Sequence, residues 1–266
     1  MREISLNELK ELQMDILDYV DGFCRHHSIH YTISGGTLLG AVRHGGYIPW
    51  DDDIDIQMVR AEYNRFTELW NKEKGHGFLE LVNIESGNSM GYPFGKIHDT
   101  RTVTLIDGLE RTGVFIDVFP LDDVVNEDDF LERHGKIQGL YKKRALVFDR
   151  MKLKEGHLNL KSRIRLLLSH IPKETYNDIA EEISSLAQRF STGRHDYVFE
   201  LVAGLLCKRP IPSKVFSLYK DIVFEDRTYM SVADTDTYLS HTFGDYMTLP
   251  PMEKRVSHHG YMSYWR

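Results

Sequence analysis

"SGGTLLGAVRHGGYIPWDDDIDIQM", residues 34–58, sets two glycine pairs and the chain's only Pro-Trp ahead of four clustered aspartates. Like charges so close repel one another, and burying any of them unpaired costs several kcal/mol. Strand periodicity supplies a reason for them. "DIDIQMV" (53–59) alternates polar and apolar residues, the period of a half-buried strand. Side chains two apart share a face. Asp51, Asp53 and Asp55 are therefore expected to line one side while Ile54 and Ile56 enter a core. Asp52 falls on the other phase and is expected to be solvated. Three carboxylates on one face require a cation, and hard divalent ions take oxygen ligands. A plain acidic loop is the alternative, but it does not explain why the acids continue into a buried-strand pattern.

Two other metal patterns compete. Asp51, Asp53, Asp55 and Glu62 match the first, third, fifth and twelfth positions of an EF-hand loop. Ile56 then stands where that loop needs glycine, and Pro49 with Gly45-Gly46 precludes an incoming helix. A sugar-nucleotide glycosyltransferase also uses Asp-x-Asp on a metal, but it has no need of the earlier glycine turn. That turn, "ISGGTLLG", follows a short strand read at 29–33 and leads into a helix read over 38–44. Glycines there let backbone N–H groups approach a phosphate, and a helix N-terminus favours the anion. A phosphate cradle beside a metal-binding strand is what nucleotide-dependent transfer chemistry needs. A third acid is then expected on a neighbouring strand. Asp117, alone among the apolar residues of "VFIDVF", is the candidate ligand and proton acceptor. A structural aspartate paired with arginine or backbone is the other reading of it.

Working outward, the 266 residues suit one large domain or two small ones. The net charge of −7 argues against a general nucleic-acid binder. Cys24 and Cys207 are too few and too far apart for a disulfide scaffold, so a cytoplasmic setting is expected. "YVFELVAGLLC" (197–207), the longest apolar stretch, is too short to span a bilayer and contains Glu200. Ser5 and Glu8 spell a capping box for an amphipathic helix over 6–26. A helix is read at 61–72, and strands near 79–84, 94–98, 101–106 and 113–123, the last ending at Pro120. Beyond about residue 125, charged helical pattern dominates up to 192. A strand or connector follows at 219–232, then a helix near 234–243 and an irregular tail. Between 142 and 173, ten Lys or Arg face two acids, which suits either a solvated helix face or an anionic partner.

"GGTLLGAVRHGGYIPWDDDID", "FIDVFPLDD" and "FGDYMTLPPMEKRVSHH" resemble the signature segments of the LicD/fukutin family. The resemblance covers the front half and the tail; 125–220 matches only loosely. It implies a nucleotidyltransferase-like α/β (α+β) core at 1–125, with a small mixed sheet flanked by helices. A mostly helical acceptor-side region at 126–266 would close the site. Ser34, Gly35, Gly36 and Thr37 would then be the donor-phosphate turn, with Thr37 where the superfamily often has serine. Asp53, Asp55 and Asp117 match the metal and catalytic acids, with Asp51 as the family's additional acid. The implied cofactor is Mg²⁺ or Mn²⁺. The implied donor is a CDP-alcohol, CDP-choline before CDP-ribitol. The implied acceptor is a cell-surface glycan such as a teichoic-acid or lipopolysaccharide precursor, lipid-linked at the inner membrane face.

Several candidates stand beside these. Arg43 and Lys96 are candidates for donor phosphate, each readable also as an ordinary surface side chain. Arg255 and His258, with His259, are site residues on the resemblance. His26 and His30 sit at metal-binding spacing but lack a third ligand, so a helix C-cap is the better reading. The expectation is a metal-dependent phosphocholine transferase, with nucleotidyl transfer from an NTP as the alternative and a silent nucleotide or metal sensor behind it. The apolar stripe within 142–173 reads first as a core face, with contact to an anionic membrane as the alternative.

Overall fold

The computed structural model describes residues 1–73, 75–84, 90–106, 108–156, 159–168, 172–192, 195–203, 209–256 and 261–266. Strand β1 (Arg2–Glu3) precedes helix α1 (Leu6–His26). The predicted capping box is present: the Glu8 N–H donates to Ser5 Oγ at 3.3 Å and the Ser5 N–H to Glu8 Oε2 at 3.1 Å. Such a cap contributes about 1 kcal/mol. Leu9, Leu12, Ile16, Val20 and Phe23 form the buried stripe of α1, as their spacing predicts.

Strand β2 (Thr32–Ile33) runs into helix α2 (Gly35–His44), then strand β3 (Asp55–Val59) and helix α3 (Arg60–Lys72). Strands β4 (Leu79–Val82), β5 (Gly95–Asp99), β6 (Thr102–Ile106), β7 (Leu109–Thr112) and β8 (Phe115–Val124) follow. Helices α4 (Glu127–Lys154), α5 (Leu160–Leu168) and α6 (Tyr176–Gln188) fill the next segment. The chain then forms β9 (Tyr197–Phe199), β10 (Ile211–Pro212), the hairpin β11 (Tyr219–Phe224) and β12 (Arg227–Val232), helix α7 (Thr235–Phe243) and β13 (Tyr261–Trp265).

The architecture is mixed α/β, as expected. Its main sheet runs β10-β9-β8-β3-β2, with the β4-β5 pair joined to β8 through β5. A second sheet orders β1-β13-β6-β7, so beyond the tail that reads as irregular the chain closes in a paired strand. The boundary expected at 125 falls between β8 and α4, and β9 and β10 return from beyond it to extend the main sheet. Ile56, Ile116 and Val118 are fully buried, as are Val20 of α1 and Phe66 of α3, and α1 packs on α3 through Phe23, whose ring centre is 5.6 Å from that of Phe66. Each such side chain contributes about 1.5–3 kcal/mol of transfer free energy.

Three boundaries differ from the sequence reading. Helix α2 opens at Gly35 rather than 38, because Gly35 takes φ +51° and needs no side chain there. Strand β3 begins at Asp55, so residues 51–54 precede the strand rather than form part of it. Strand β8 does not end at Pro120. The Asp117 N–H donates toward β3 at Ile54 O, so Pro120, at the opposite parity, points its missing N–H toward the other edge. There β5 has ended at Val118 and β9 does not begin until Asp122. Proline is tolerated because that edge of the ladder is open at that position.

One ion pair locks the layers together. Arg60, at the start of α3, forks onto Asp122 of β8 through bonds of 2.7 and 2.8 Å, and both side chains are buried. No helix among the described residues is long and apolar enough to cross a membrane.

Candidate active site

The site forms where the glycine turn meets the N-terminal ends of two parallel strands. Asp55 is the first residue of β3 and stands in register with Asp117 on β8. The turn is stitched to this point from both sides. The Ser34 N–H donates to Asp55 O at 2.9 Å, and the Asp55 N–H donates to Thr37 Oγ1 at 2.9 Å. Gly36 has a steric reason: a Cβ there would meet Asp51 Oδ2 at 2.5 Å. Asp51 therefore lies over the helix start. The Gly35 N–H is used inside the protein, donating to the Tyr238 hydroxyl of α7 at 3.2 Å. A helix's first amides have no intrahelical acceptors, which leaves those of Gly36 and Thr37 for an anion.

Like charge is concentrated here. The Asp55 carboxyl is held well above the usual carboxylate range, by burial first and then by the charges of Asp53 and Asp117. Lys96 on β5 stands opposite Asp117 and bonds its Oδ1 at 2.5 Å. It is a buried lysine rather than a surface one, with its ammonium 3.6 Å from the Phe115 ring centre. Asp53, Asp55 and Asp117 offer only oxygen, and their mutual repulsion is what a hard divalent ion relieves. Among the described residues no three side chains already stand in metal-ligand positions, and Asp117 is drawn to Lys96 instead. The donor set nevertheless fits Mg²⁺ or Mn²⁺ in kind.

The remaining predicted residues lie around this centre. Arg43, near the end of α2, donates to Tyr246 O at 2.8 Å, and its guanidinium feels that of Arg255. Arg255 donates to Pro250 O at 2.8 Å and lies 5.6 Å from the Trp50 ring centre. The pair forms a positive corner beyond the glycine helix. His258 lies outside the described residues, as does His259. Asp52 corrects the expectation of a solvated side chain: it is half-buried and among the charges that raise the Tyr261 phenol. Strand alternation does not reach it, because the ladder starts only at Asp55.

The structure adds residues that sequence reasoning missed. Glu200, just after β9, accepts from Gln57 of β3, and Gln57 Oε1 accepts from the Tyr238 hydroxyl at 2.8 Å. Burial, aided by Asp117, pushes the Glu200 carboxyl up to about 8. The signal was available: an acid inside an apolar run, the same pattern that singled out Asp117. The Tyr261 hydroxyl, from the tail strand, donates to Asp52 O at 3.1 Å and closes the acidic end of the site.

Residues 28–155 match the family described as LicD/FKTN/FKRP, nucleotidyltransferase domain. Over 274 residues the chain is 30% identical to the lipopolysaccharide cholinephosphotransferase LicD of Haemophilus influenzae, covering 97% of each protein. The ribitol 5-phosphate transferase FKRP of Homo sapiens is 39% identical over 57 residues, 21% of this chain and 12% of that one. The mouse protein matches over the same length at the same identity. With the glycine turn, the paired aspartates and a relative similar over nearly its full length, this chain belongs to the LicD family.

Proposed function

We propose that this chain transfers a phospho-alcohol group, phosphocholine before others, from a CDP-activated donor to a hydroxyl of a cell-surface glycan precursor. The observation that carries the reading is the register of Asp55 with Asp117, with Lys96 on the far side and the glycine turn on the near side. The full-length similarity to a cholinephosphotransferase favours choline.

In this reading Ser34–Thr37 and Arg43 hold the donor diphosphate. Asp53, Asp55 and Asp117, with Asp51 alongside, would hold Mg²⁺ or Mn²⁺, which neutralises diphosphate charge and helps CMP depart. Asp117 accepts the acceptor's hydroxyl proton as its oxygen bonds to the donor's outer phosphorus. The bond from that phosphorus to the bridging oxygen breaks, and CMP leaves with the electron pair. Lys96 keeps Asp117 aimed between donor and acceptor. Glu200, protonated through most of the neutral range, adds no further negative charge beside the aspartates. Arg255 supplements Arg43 at the donor end.

Helix α5 supports a place at a membrane surface. Leu160, Ile164 and Leu167 are exposed along one helical stripe beside exposed Lys161 and Arg163. That fits a lipid-linked acceptor at an anionic leaflet on the cytoplasmic side. The test is incubation with CDP-choline, CDP-ribitol, CTP or ATP plus Mg²⁺, following CMP and pyrophosphate. CMP released from CDP-choline only when acceptor is present supports the reading. Pyrophosphate from CTP or ATP, with no CMP from any CDP-alcohol, would replace it with nucleotidyl transfer.

A further inference from the structure

Arg111 on β7 and Arg144 on α4 converge on one aromatic ring. Their guanidinium carbons stand 4.9 and 4.3 Å from the Tyr176 ring centre, and 5.5 and 5.7 Å from that of Tyr92. Arg111 is buried and Arg144 half-buried. Elsewhere the fold gives its buried guanidiniums a carboxylate: Arg60 has Asp122 and Arg133 has Asp129. Here, among the described residues, neither has one. Arg111 donates to Met90 O, Arg144 donates to Gly91 O at 2.9 Å, and Arg144 Nε is buried with no acceptor. Met90 and Gly91 both take positive φ, which turns the carbonyls of this tight bend toward the arginines. Two carbonyls do not neutralise two cations, and burying charge without its counterion is costly. A bound anion would relieve both the repulsion and the orphaned donor, with the planar fork that suits phosphate.

The position of the pair says which phosphate. Strand β8 carries Asp117, with β3 and the glycine turn on one edge and β5 with Lys96 on the other. The Lys96 ammonium is 2.5 Å from Asp117 and 4.8 Å from the Tyr92 ring centre, and the arginines lie around that same ring. The pair is therefore on the side of Asp117 away from the donor turn. A donor quaternary ammonium is not its ligand, since guanidiniums already occupy the aromatic faces. We infer that Arg111 and Arg144 form an anion subsite for a phosphate group carried by the acceptor. This rests on the phosphotransfer reading for the word acceptor, though not for the anion. The phosphate is either a monoester on a sugar or part of a diphosphate link to a lipid carrier.

The test begins with inorganic phosphate titrated into the full-length, metal-free protein, read by melting temperature and calorimetry. The wild type should gain Tm with phosphate, and Arg144→Gln should weaken binding about tenfold while keeping its near-ultraviolet circular dichroism. Should Arg144→Gln not fold, Arg111→Gln and Arg144→Lys are read in the same way, the lysine expected to lose part of the affinity. A wild type indifferent to phosphate, or a folded variant responding like wild type, would reduce the pair to a clasp on the 90–91 bend. In turnover, Arg144→Gln should raise KM for a phosphorylated acceptor, leaving KM for its dephosphorylated form and for CDP-choline unchanged. A sugar phosphomonoester and a short-chain polyprenyl diphosphate sugar are compared, and the one whose KM rises identifies the source. Equal KM changes with and without the phosphate overturn the acceptor assignment. If no CDP-alcohol is turned over at all, the function is wrong, and the phosphate titration still decides the subsite.

Discussion

Lys96 and Asp117 are each other's nearest charge, and the energetics of the site turn on that bond. An ammonium ringed by Tyr92, Phe94 and Phe115 has little water, so losing its carboxylate leaves a buried uncompensated charge. Asp117→Asn should therefore abolish turnover and also lower stability, by about 3–5 kcal/mol at most for a fully buried pair. Lys96→Met in the same background should restore much of the Tm without restoring CMP release. Glu200 makes a separate, pH-dependent prediction. Its carboxyl rises from 4.5 in the unfolded chain to about 8 in the fold. The native state thus binds the extra proton between those values. The associated stability is whole below about pH 4.5 and drains away as pH climbs to about 8. Glu200→Gln should flatten that decline, by an amount on the order of a few kcal/mol, in denaturant melts at pH 5 and pH 8.5. A parallel decline in variant and wild type would show that another group carries it.

At the scale of elements, α2 and α5 do different work with similar helical patterns. The first turn of α2 lies so close to Asp51 that Gly36→Ala must push that carboxylate aside. Its far end is closed by Gly45 at φ +78° and held by the β11–β12 hairpin, where the Glu225 N–H donates to Gly45 O at 2.9 Å. Gly36→Ala should keep the fold, because the neighbour that must move is a side chain, and should raise the Mg²⁺ concentration needed for half-maximal rate. Helix α5 carries Leu160 at 74% and Leu167 at 85% exposure, a surface with no packing partner among the described residues. Arg165 pairs with the buried Asp149, and Lys161 and Arg163 are exposed beside the apolar stripe, where an anionic lipid surface would meet them. Lys161→Gln with Arg163→Gln should reduce sedimentation with vesicles containing anionic lipid, most clearly at low salt. Activity on a short soluble acceptor should be unchanged. Equal loss on soluble and lipid-linked acceptors would assign the helix to the fold.

For the whole molecule, the carboxylate cluster links metal binding to folding. Relieving repulsion among Asp53, Asp55 and Asp117 stabilises only the native state, where the three are gathered. Mg²⁺ should raise the Tm of the wild type, by the equivalent of about 2.7 kcal/mol at a hundredfold excess over Kd. The shift should vanish in Asp55→Ala, whose apo form should melt no lower than wild type, because a repelling charge has gone. An unchanged Mg²⁺ shift in Asp55→Ala would remove that residue from the metal set. The buried Arg60–Asp122 fork is the contrasting case. It ties α3 to β8 away from the acids, so breaking it should cost Tm with no effect on metal dependence.

Local pattern was enough for much of this. The capping box at Ser5 and Glu8, the stripe of α1, the glycine break after β2 and an acid inside each of two apolar runs are relations between neighbours in sequence. Helical and strand periods expose such relations directly. The sequence determined by itself that acids and a glycine turn share one region, and that Asp117 is out of place in its strand. What it did not carry was register and partnership between distant segments. That Asp55 faces Asp117 across a parallel pair is set by the sheet, as is the open edge that admits Pro120 in mid-strand. Asp52's half-burial follows from where a ladder begins, which alternation alone does not mark. Glu200, Tyr238 and Tyr261 reach the site from segments far along the chain. Arg111 and Arg144 meet only because a hairpin and a long helix pack around one bend. Such contacts are chosen by packing over the whole core, and the tertiary structure alone decided them.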